Sequence, residues 1–178
     1  MNQDSAVRSI RFDALKLAAD SASLSGEVDA RMLQRVVDRL APGDTAVPVI
    51  WTITGTPDAL QRPAVIVAID GSLPLICQRC LQAFDAPLSQ RTRLLLARDE
   101  AELKRLDADE SDEVVLATTF LDAQTLVEDE LLLSLPLAPH HGDGRCAPGT
   151  GWAAARAQGA GPGKRSPFAS LAGVKPRR

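Results

Sequence analysis

Cysteine and histidine are the residue types in this chain that best suit metal binding. Cys77 and Cys80 are separated by two residues, and the adjacent His140 and His141 precede a third cysteine, Cys146. Thiolates at a Cys-x-x-Cys spacing can bind one side of a tetrahedral ion, and a histidine with a further cysteine can complete the four ligands. The pattern predicts a closed site for a structural zinc ion, with no coordination position left for water.

Two other interpretations of these cysteines stay open. The first is a pair of half-buried thiols beside loop histidines, because the chain lacks a second Cys-x-x-Cys motif. The second is thiol redox chemistry, which needs a cysteine of lowered pKa at the N-terminus of a helix. The residues that follow Cys80, Leu81-Gln-Ala-Phe-Asp-Ala-Pro87, are too few for that helix. This disfavours an oxidoreductase.

Three consecutive acidic residues, Glu128, Asp129 and Glu130, lie in a leucine-rich stretch. They suit a solvated surface near the N-terminus of a helix, where the helix dipole favours negative charge, or a docking surface for a basic partner. A third possibility, magnesium-dependent hydrolysis of RNA, needs further carboxylates that converge from other elements. No histidine or serine stands at a catalytic spacing from them, so we expect a solvated or partner-binding surface.

A short apolar motif lies near the end of the chain. Phe168, Leu171 and Val174 are spaced by three and are followed by Lys175-Pro-Arg-Arg. This spacing suits one helical turn that docks on the body or on a partner, and the basic residues suit RNA. A disordered end with chance apolar residues is the alternative. The preceding segment 144–163 is mostly Gly, Ala, Pro and Arg, which predicts a flexible linker.

Charge is distributed unevenly along the chain. The net charge is −3, and residues 144–178 hold seven basic residues and no acidic one, which leaves −10 on residues 1–143. A body of that charge repels RNA phosphates unless basic residues cluster, and it suits a basic protein partner. The aromatic share of 3%, with no tyrosine, leaves little for stacking on bases.

Apolar periodicity predicts the elements that position these residues. We expect a helix over 29–40, a strand over 47–55, a hairpin of 64–69 and 72–77 around Asp70-Gly71, strands over 88–97 and 114–116, and a helix over 123–135 capped by Asp122. The second arm of the hairpin brings Cys77 to its end. Eight acidic residues from Asp99 to Glu113 predict a solvated, mobile excursion.

These elements predict an α+β fold, an antiparallel β meander packed by helices. Residues 1–143 form a single domain, 144–163 a flexible linker and 164–178 a basic C-terminal docking segment. The first residues lack the apolar run of a secretion signal, and no stretch reaches roughly 18 uncharged apolar residues. We therefore expect a cytoplasmic protein with no membrane partner.

Three motifs in this order and at these distances resemble the YceD family: Cys77-Gln-Arg-Cys80, Val127-Glu-Asp-Glu130 followed by Leu-Pro-Leu-Ala-Pro-His140, and Pro167-Phe-Ala-x-Leu171. The resemblance runs from about Val28 to Lys175. Some branches of that family carry a second Cys-x-x-Cys after the Leu-Pro segment, where this chain has the two histidines and Cys146.

The resemblance implies a bacterial factor needed for accumulation of 23S ribosomal RNA, and it brings no catalytic residues. It thereby implies ribosomal RNA or a pre-ribosomal particle as partner, and the acidic body suits a basic large-subunit ribosomal protein. The motifs name the following partner-binding candidates: Arg79, Glu128, Asp129, Glu130, Phe168, Leu171 and Lys175.

Overall fold

The computed structural model describes residues 10–108 and 113–142. The strands there are β1 (Arg11–Phe12), β2 (Ser23–Asp29), β3 (Pro48–Pro57), β4 (Pro63–Ile76), β5 (Ala83–Ala97), β6 (Glu113–Leu116) and β7 (Leu121–Asp122). The α-helices are α1 (Ala14–Ala19), α2 (Glu100–Leu106) and α3 (Ala123–Ser134). In this part of the chain no helix has the length and apolar character needed to cross a bilayer.

The main sheet has five strands in the order β2-β3-β4-β5-β6. Its first four strands are joined in sequence order as antiparallel neighbours, which confirms the predicted α+β meander. The last strand, β6, pairs with β5 in parallel. A parallel pair needs a crossover connection, and α2 lies in that connection and packs against both strands. The acidic charge of this segment predicts a mobile excursion. Its residues Glu100–Leu106 instead form a helix that packs against the sheet.

Alternating apolar residues give the sheet one buried face. In β3, Val49, Trp51 and Ile53 are at most 5% exposed, and they pair with β4 positions of the same face, such as Ile69 opposite Trp51. Helices α1 and α3 supply the opposing layer through residues such as Leu17 and Leu131. Burial on the order of 1.5–3 kcal/mol per large apolar side chain makes this single interface the main source of stability.

A glycine allows α1 to approach the sheet closely. A Cβ atom at Gly55 of β3 would lie 2.0 Å from the carbonyl oxygen of Leu17, so only glycine fits without moving the helix backbone. Asp13 caps the helix by accepting a hydrogen bond from the Lys16 amide.

The predicted helix over 29–40 is wrong. The segment instead contains two single turns of 3-10 helix, Ala30–Met32 and Val37–Arg39. Leu33 and Val36 are still fully buried, but Met32 is 53% exposed. The apolar residues therefore reach the core without an α-helix.

Tertiary hydrogen bonds explain this difference. Asp29 belongs to β2, and its Oδ1 accepts from the amides of Arg31 at 3.0 Å and Val47 at 2.9 Å. The Ala30 amide donates to the Val47 carbonyl at 2.9 Å. These bonds join the start of the segment to the chain entering β3, and the backbone of Leu33 is extended (φ −87°, ψ 115°), so the helix ends after a single turn.

The predicted tight turn at Asp70-Gly71 is also wrong, because β4 runs without a break through both residues. Gly71 pairs with Val49 on one side and with Leu88 on the other. The hairpin that carries the cysteines is therefore formed by β4 and β5, whose register runs from Ala64↔Leu95 to Ile76↔Ala83.

Helix α3 agrees with its prediction. It begins after Asp122, whose side chain accepts from the Thr125 amide at 3.0 Å, and it ends one residue before Leu135 and Pro136. Its leucines predict burial on more than one side, yet Leu133 is 72% exposed.

Candidate metal centre

The two cysteines of the Cys-x-x-Cys motif lie at the tip of the β4–β5 hairpin. The Cys77 amide donates to the Gln82 carbonyl at 2.9 Å, and the Leu81 amide donates to the Cys77 carbonyl at 2.8 Å. Leu81 has a φ of 61°, a left-handed conformation that reverses the chain. The turn buries both thiols, with Cys77 at 0% and Cys80 at 8% exposure.

His141 reaches the same tip from the segment that follows α3. The Gln78 amide donates to the Pro139 carbonyl at 2.8 Å, which holds this segment against the hairpin. The His141 ring lies 4.7 Å from the ring of Phe84, tilted by 40°. A backbone hydrogen bond and a ring contact therefore fix the histidine beside the cysteines.

The three side chains have the geometry of a metal centre. Their ligand atoms, two Sγ and one imidazole nitrogen, all lie within 4.8 Å of one another. Cys80 Sγ is 3.5 Å from His141 Nδ1. Bond lengths of about 2.3 Å to sulfur and 2.0–2.1 Å to nitrogen in a tetrahedral zinc site place such atoms about 3.6 Å apart. Cys77, Cys80 and His141 could therefore hold a metal ion.

The structure distinguishes between the two histidines. His140 is exposed, and its Nδ1 lies 2.9 Å from the carbonyl oxygen of His141. His141, half-buried, is the one that joins the cysteines. The remaining predicted ligand, Cys146, lies outside the described residues.

The position of the thiols bears on redox chemistry. Cys80 precedes β5, not a helix. Neither cysteine of the motif therefore lies at the N-terminus of a described helix, the position that lowers the pKa of a cysteine.

The acidic run in α3 is divided between two environments. Arg35 binds Glu128 Oε2 at 3.0 Å and Asp129 Oδ1 at 2.6 Å, and its amide donates to Glu128 Oε1 at 2.8 Å. Hydrogen bonds to Asp129 and Glu128 raise the pKa of the Arg35 guanidinium. This contact ties α3 to the segment between the two 3-10 turns.

Glu130 faces inward, at 4% exposure. Burial raises the pKa of its carboxyl, a hydrogen bond with the Thr92 side chain lowers it, and the nearby carboxylates of Glu113 and Asp129 raise it further. Glu128, Asp129 and Glu130 therefore do not form one open acidic surface, and their partner-binding role stays a prediction.

The other partner-binding candidates differ in what the structure says of them. Arg79 is exposed at the hairpin tip, between the two cysteines. Phe168, Leu171, Lys175 and the linker 144–163 lie outside the described residues.

Sequence reasoning missed two contributors to the site. Gln78 acts through its backbone amide, which no side-chain motif encodes. Phe84 carries a weak signal, since it is one of four phenylalanines and lies four residues after Cys80.

Comparisons with known proteins agree with the motifs. Searches of the curated proteins and of the solved structures each returned no match. The family model described as large ribosomal RNA subunit accumulation protein YceD matches residues 65–175. This match begins at β4, later than the resemblance suggests, and it includes the hairpin tip, α3 and the terminal Phe168 motif. Since it covers more than half of the 178 residues, the chain belongs to the YceD family.

Proposed function

We propose that the protein is a non-catalytic cytoplasmic factor that supports 23S ribosomal RNA during assembly of the large ribosomal subunit, by binding ribosomal protein or RNA. Membership of the YceD family gives the role in accumulation of large-subunit RNA. The observation that carries the proposal is that the family match spans the three motifs together.

The charge distribution supports different binding partners for the body, residues 1–143, and for the basic segment 164–178. The body, at −10, suits a lysine- and arginine-rich ribosomal protein, and exposed acidic residues such as Glu100, Asp107 and Glu113 surround α2. The segment 164–178 is basic, and basic residues supply most of the affinity for RNA by releasing counterions from phosphates.

Deletion of the gene tests the role, with the 23S RNA level measured relative to 16S RNA. We expect less 23S RNA and an altered precursor profile, and we expect the intact gene to restore both. Unchanged RNA in the deletion strain would overturn the proposal. Cleavage of precursor RNA by the purified protein with magnesium, manganese or zinc would overturn its non-catalytic part.

Truncation after residue 163 tests whether the basic segment contributes to RNA binding. We expect weaker binding to ribosomal RNA and a shallower salt dependence, from a body that stays folded. Equal affinity of the truncated and full chains at one salt concentration would remove the role of the segment.

Neutralising Asp107, Asp109, Glu110, Asp112 and Glu113 to amides tests the acidic docking surface. We expect slower association with a basic protein partner captured by the wild type. A matched control neutralises five exposed acidic residues elsewhere on the body, Glu27, Asp38, Asp44, Asp70 and Asp85. Equal effects of the two variants would mean that total charge, and not this surface, governs binding.

We assign the metal centre a structural zinc ion, bound by Cys77, Cys80, His141 and Cys146. Two buried cysteines, with the imidazole of His141 3.5 Å from the Cys80 sulfur, suit zinc better than magnesium or calcium, which prefer oxygen ligands. Cys146 follows His141 by five residues, a span of up to about 17 Å when extended, so it can return to the ion.

Metal analysis of purified variants tests this assignment. Wild-type protein should hold one equivalent of zinc, and Cys77→Ser and His141→Ala should lose it. His140→Ala is the matched control and should keep the ion, because its ring contacts a backbone carbonyl. Zinc-free wild-type protein, or equal loss in the two histidine variants, would contradict the site, and zinc retained by Cys146→Ser would remove only the fourth ligand.

A further inference from the structure

An apolar groove lies between the second 3-10 turn, the end of β4 and the segment that leaves α3. Its volume is about 540 Å³. Five leucines line it: Leu40 and Leu75 are nearly buried, Leu132 and Leu135 are half-buried, and Leu137 is fully exposed. Asp38, Arg39 and Gln78 also belong to the lining. Such a concentration of leucine at the surface is typical of a binding site.

The groove lies where the described chain ends. Pro139 lines it, and the described residues stop three positions later, at Gly142. Residues 143–178 follow, and the first strongly apolar motif among them is Phe168, Leu171 and Val174.

We propose that the groove binds the C-terminal segment of the same chain, with Phe168 and Leu171 as its anchors. Phe168 follows Gly142 by 26 residues, and a flexible chain of that length has a typical end-to-end distance of about 28 Å, enough to return to the groove. The Gly- and Ala-rich composition of 144–163 suits such a tether. A tether of this kind gives an effective concentration in the millimolar range, so a weak contact suffices to occupy the site.

Charge favours the same occupant. Residues 144–178 carry +7 and the rest of the chain −10, so the segment is attracted to the body that bears the groove. A contact within one purified chain does not depend on the proposed role in ribosome assembly.

Methyl NMR spectra of the full chain with labelled leucine and valine test the proposal in both directions. In a Phe168→Ala, Leu171→Ala variant, the methyl signals of the groove residues Leu132, Leu135 and Leu137 should shift. In a Leu137→Asp variant, the signals of Leu171 and Val174 should shift in return. Leu137 is fully exposed, so its replacement leaves the core intact.

Leu133→Asp is the matched control. Leu133 is a leucine of α3 that is 72% exposed and does not line the groove, so the tail signals should not move in this variant. A second control is tenfold dilution of the wild type, which leaves an intramolecular contact unchanged.

Two results would overturn the proposal. Tail signals insensitive to Leu137→Asp would mean that the segment does not bind the groove in the isolated protein and that a separate partner occupies it. Groove and tail signals that change together on dilution would mean that the segment binds the groove of a second copy.

Discussion

Glu130 differs from its neighbours in α3 because its carboxyl is buried while those of Glu128 and Asp129 bind Arg35. In the folded state, burial raises the pKa of Glu130 above its ordinary value. Between the ordinary pKa, which applies to the unfolded chain, and the raised pKa of the folded chain, the folded chain binds more protons at this residue. The contribution of Glu130 to the free energy of unfolding therefore falls as the pH rises through that window.

The Glu130→Gln variant should be more stable than the wild type at neutral pH. The amide keeps a hydrogen-bonding partner for Thr92 and cannot ionise, so it lacks the cost of a buried charge. The difference from the wild type should shrink as the pH falls through the window between the raised pKa and the ordinary pKa of a glutamate, and should change no further below it. Urea unfolding over a pH series measures this difference.

Glu128→Gln is the comparison for that experiment, and its effect should have the opposite sign. Its side chain accepts from the guanidinium and from the backbone amide of Arg35, so the variant should be slightly less stable than the wild type. A Glu130→Gln variant that is less stable than the wild type at neutral pH would show that the charged form is stabilised.

At the level of elements, the close contact between α1 and β3 requires a residue without a side chain, Gly55, in β3. We predict that Gly55→Ala destabilises the protein by about 3 kcal/mol or more, because its Cβ would meet the backbone of Leu17 at 2.0 Å and α1 would have to move. Gly142→Ala is the control, since a Cβ there meets nothing within 4 Å and should have little effect. Similar urea midpoints for the two variants would contradict the close packing.

In the β4–β5 hairpin, the alternation of apolar residues is a better guide to the strand than the Asp70-Gly71 turn signal. Val65, Val67 and Ile69 share the parity of Leu73 and Leu75, and all five face the core. A two-residue turn at 70–71 would place the last two on the opposite face from the first three. The parity of the apolar residues is therefore the signal that matches the one long strand, and it outweighs the local Asp-Gly signal.

The segment 29–40 could not be predicted in the same way. Its spacing of four is a valid helix signal, but the Asp29 side chain binds Val47, eighteen residues away. A contact of that range depends on the paired strands and overrides local propensity. The helix α3, with a cap at Asp122 and a proline after its end, needed no such contact and was predicted correctly.

At the scale of the whole molecule, the sequence identified the residue types of the candidate metal centre but not how these residues meet. Cys80 and His141 are 61 positions apart, and the register of β4 with β5 and the hydrogen bond from Gln78 to Pro139 bring them together. Which of the two histidines faces the thiols is a matter of ring orientation, and adjacent identical residues carry no signal for it.

A metal bound across this separation should stabilise the whole fold. An ion that links Cys80 to His141 closes a loop of 61 positions, and a cross-link over such a loop reduces the entropy of the unfolded chain by an amount worth about 4 kcal/mol. Adding a strong chelator should therefore lower the melting temperature of the wild type. His141→Ala should already melt lower and should not respond to the chelator. A wild-type melting temperature unaffected by the chelator would contradict the cross-link.

The connection between β5 and β6 divides the metal ligands into two groups. A chain split after Ala108 would leave Cys77 and Cys80 in the first fragment and His141 in the second. The fragments would share the β5–β6 and β1–β7 pairs. Two polypeptides produced separately should then reconstitute one fold by fragment complementation, with zinc increasing their mutual affinity. The ion would then link two fragments of a protein that is ordinarily a single chain.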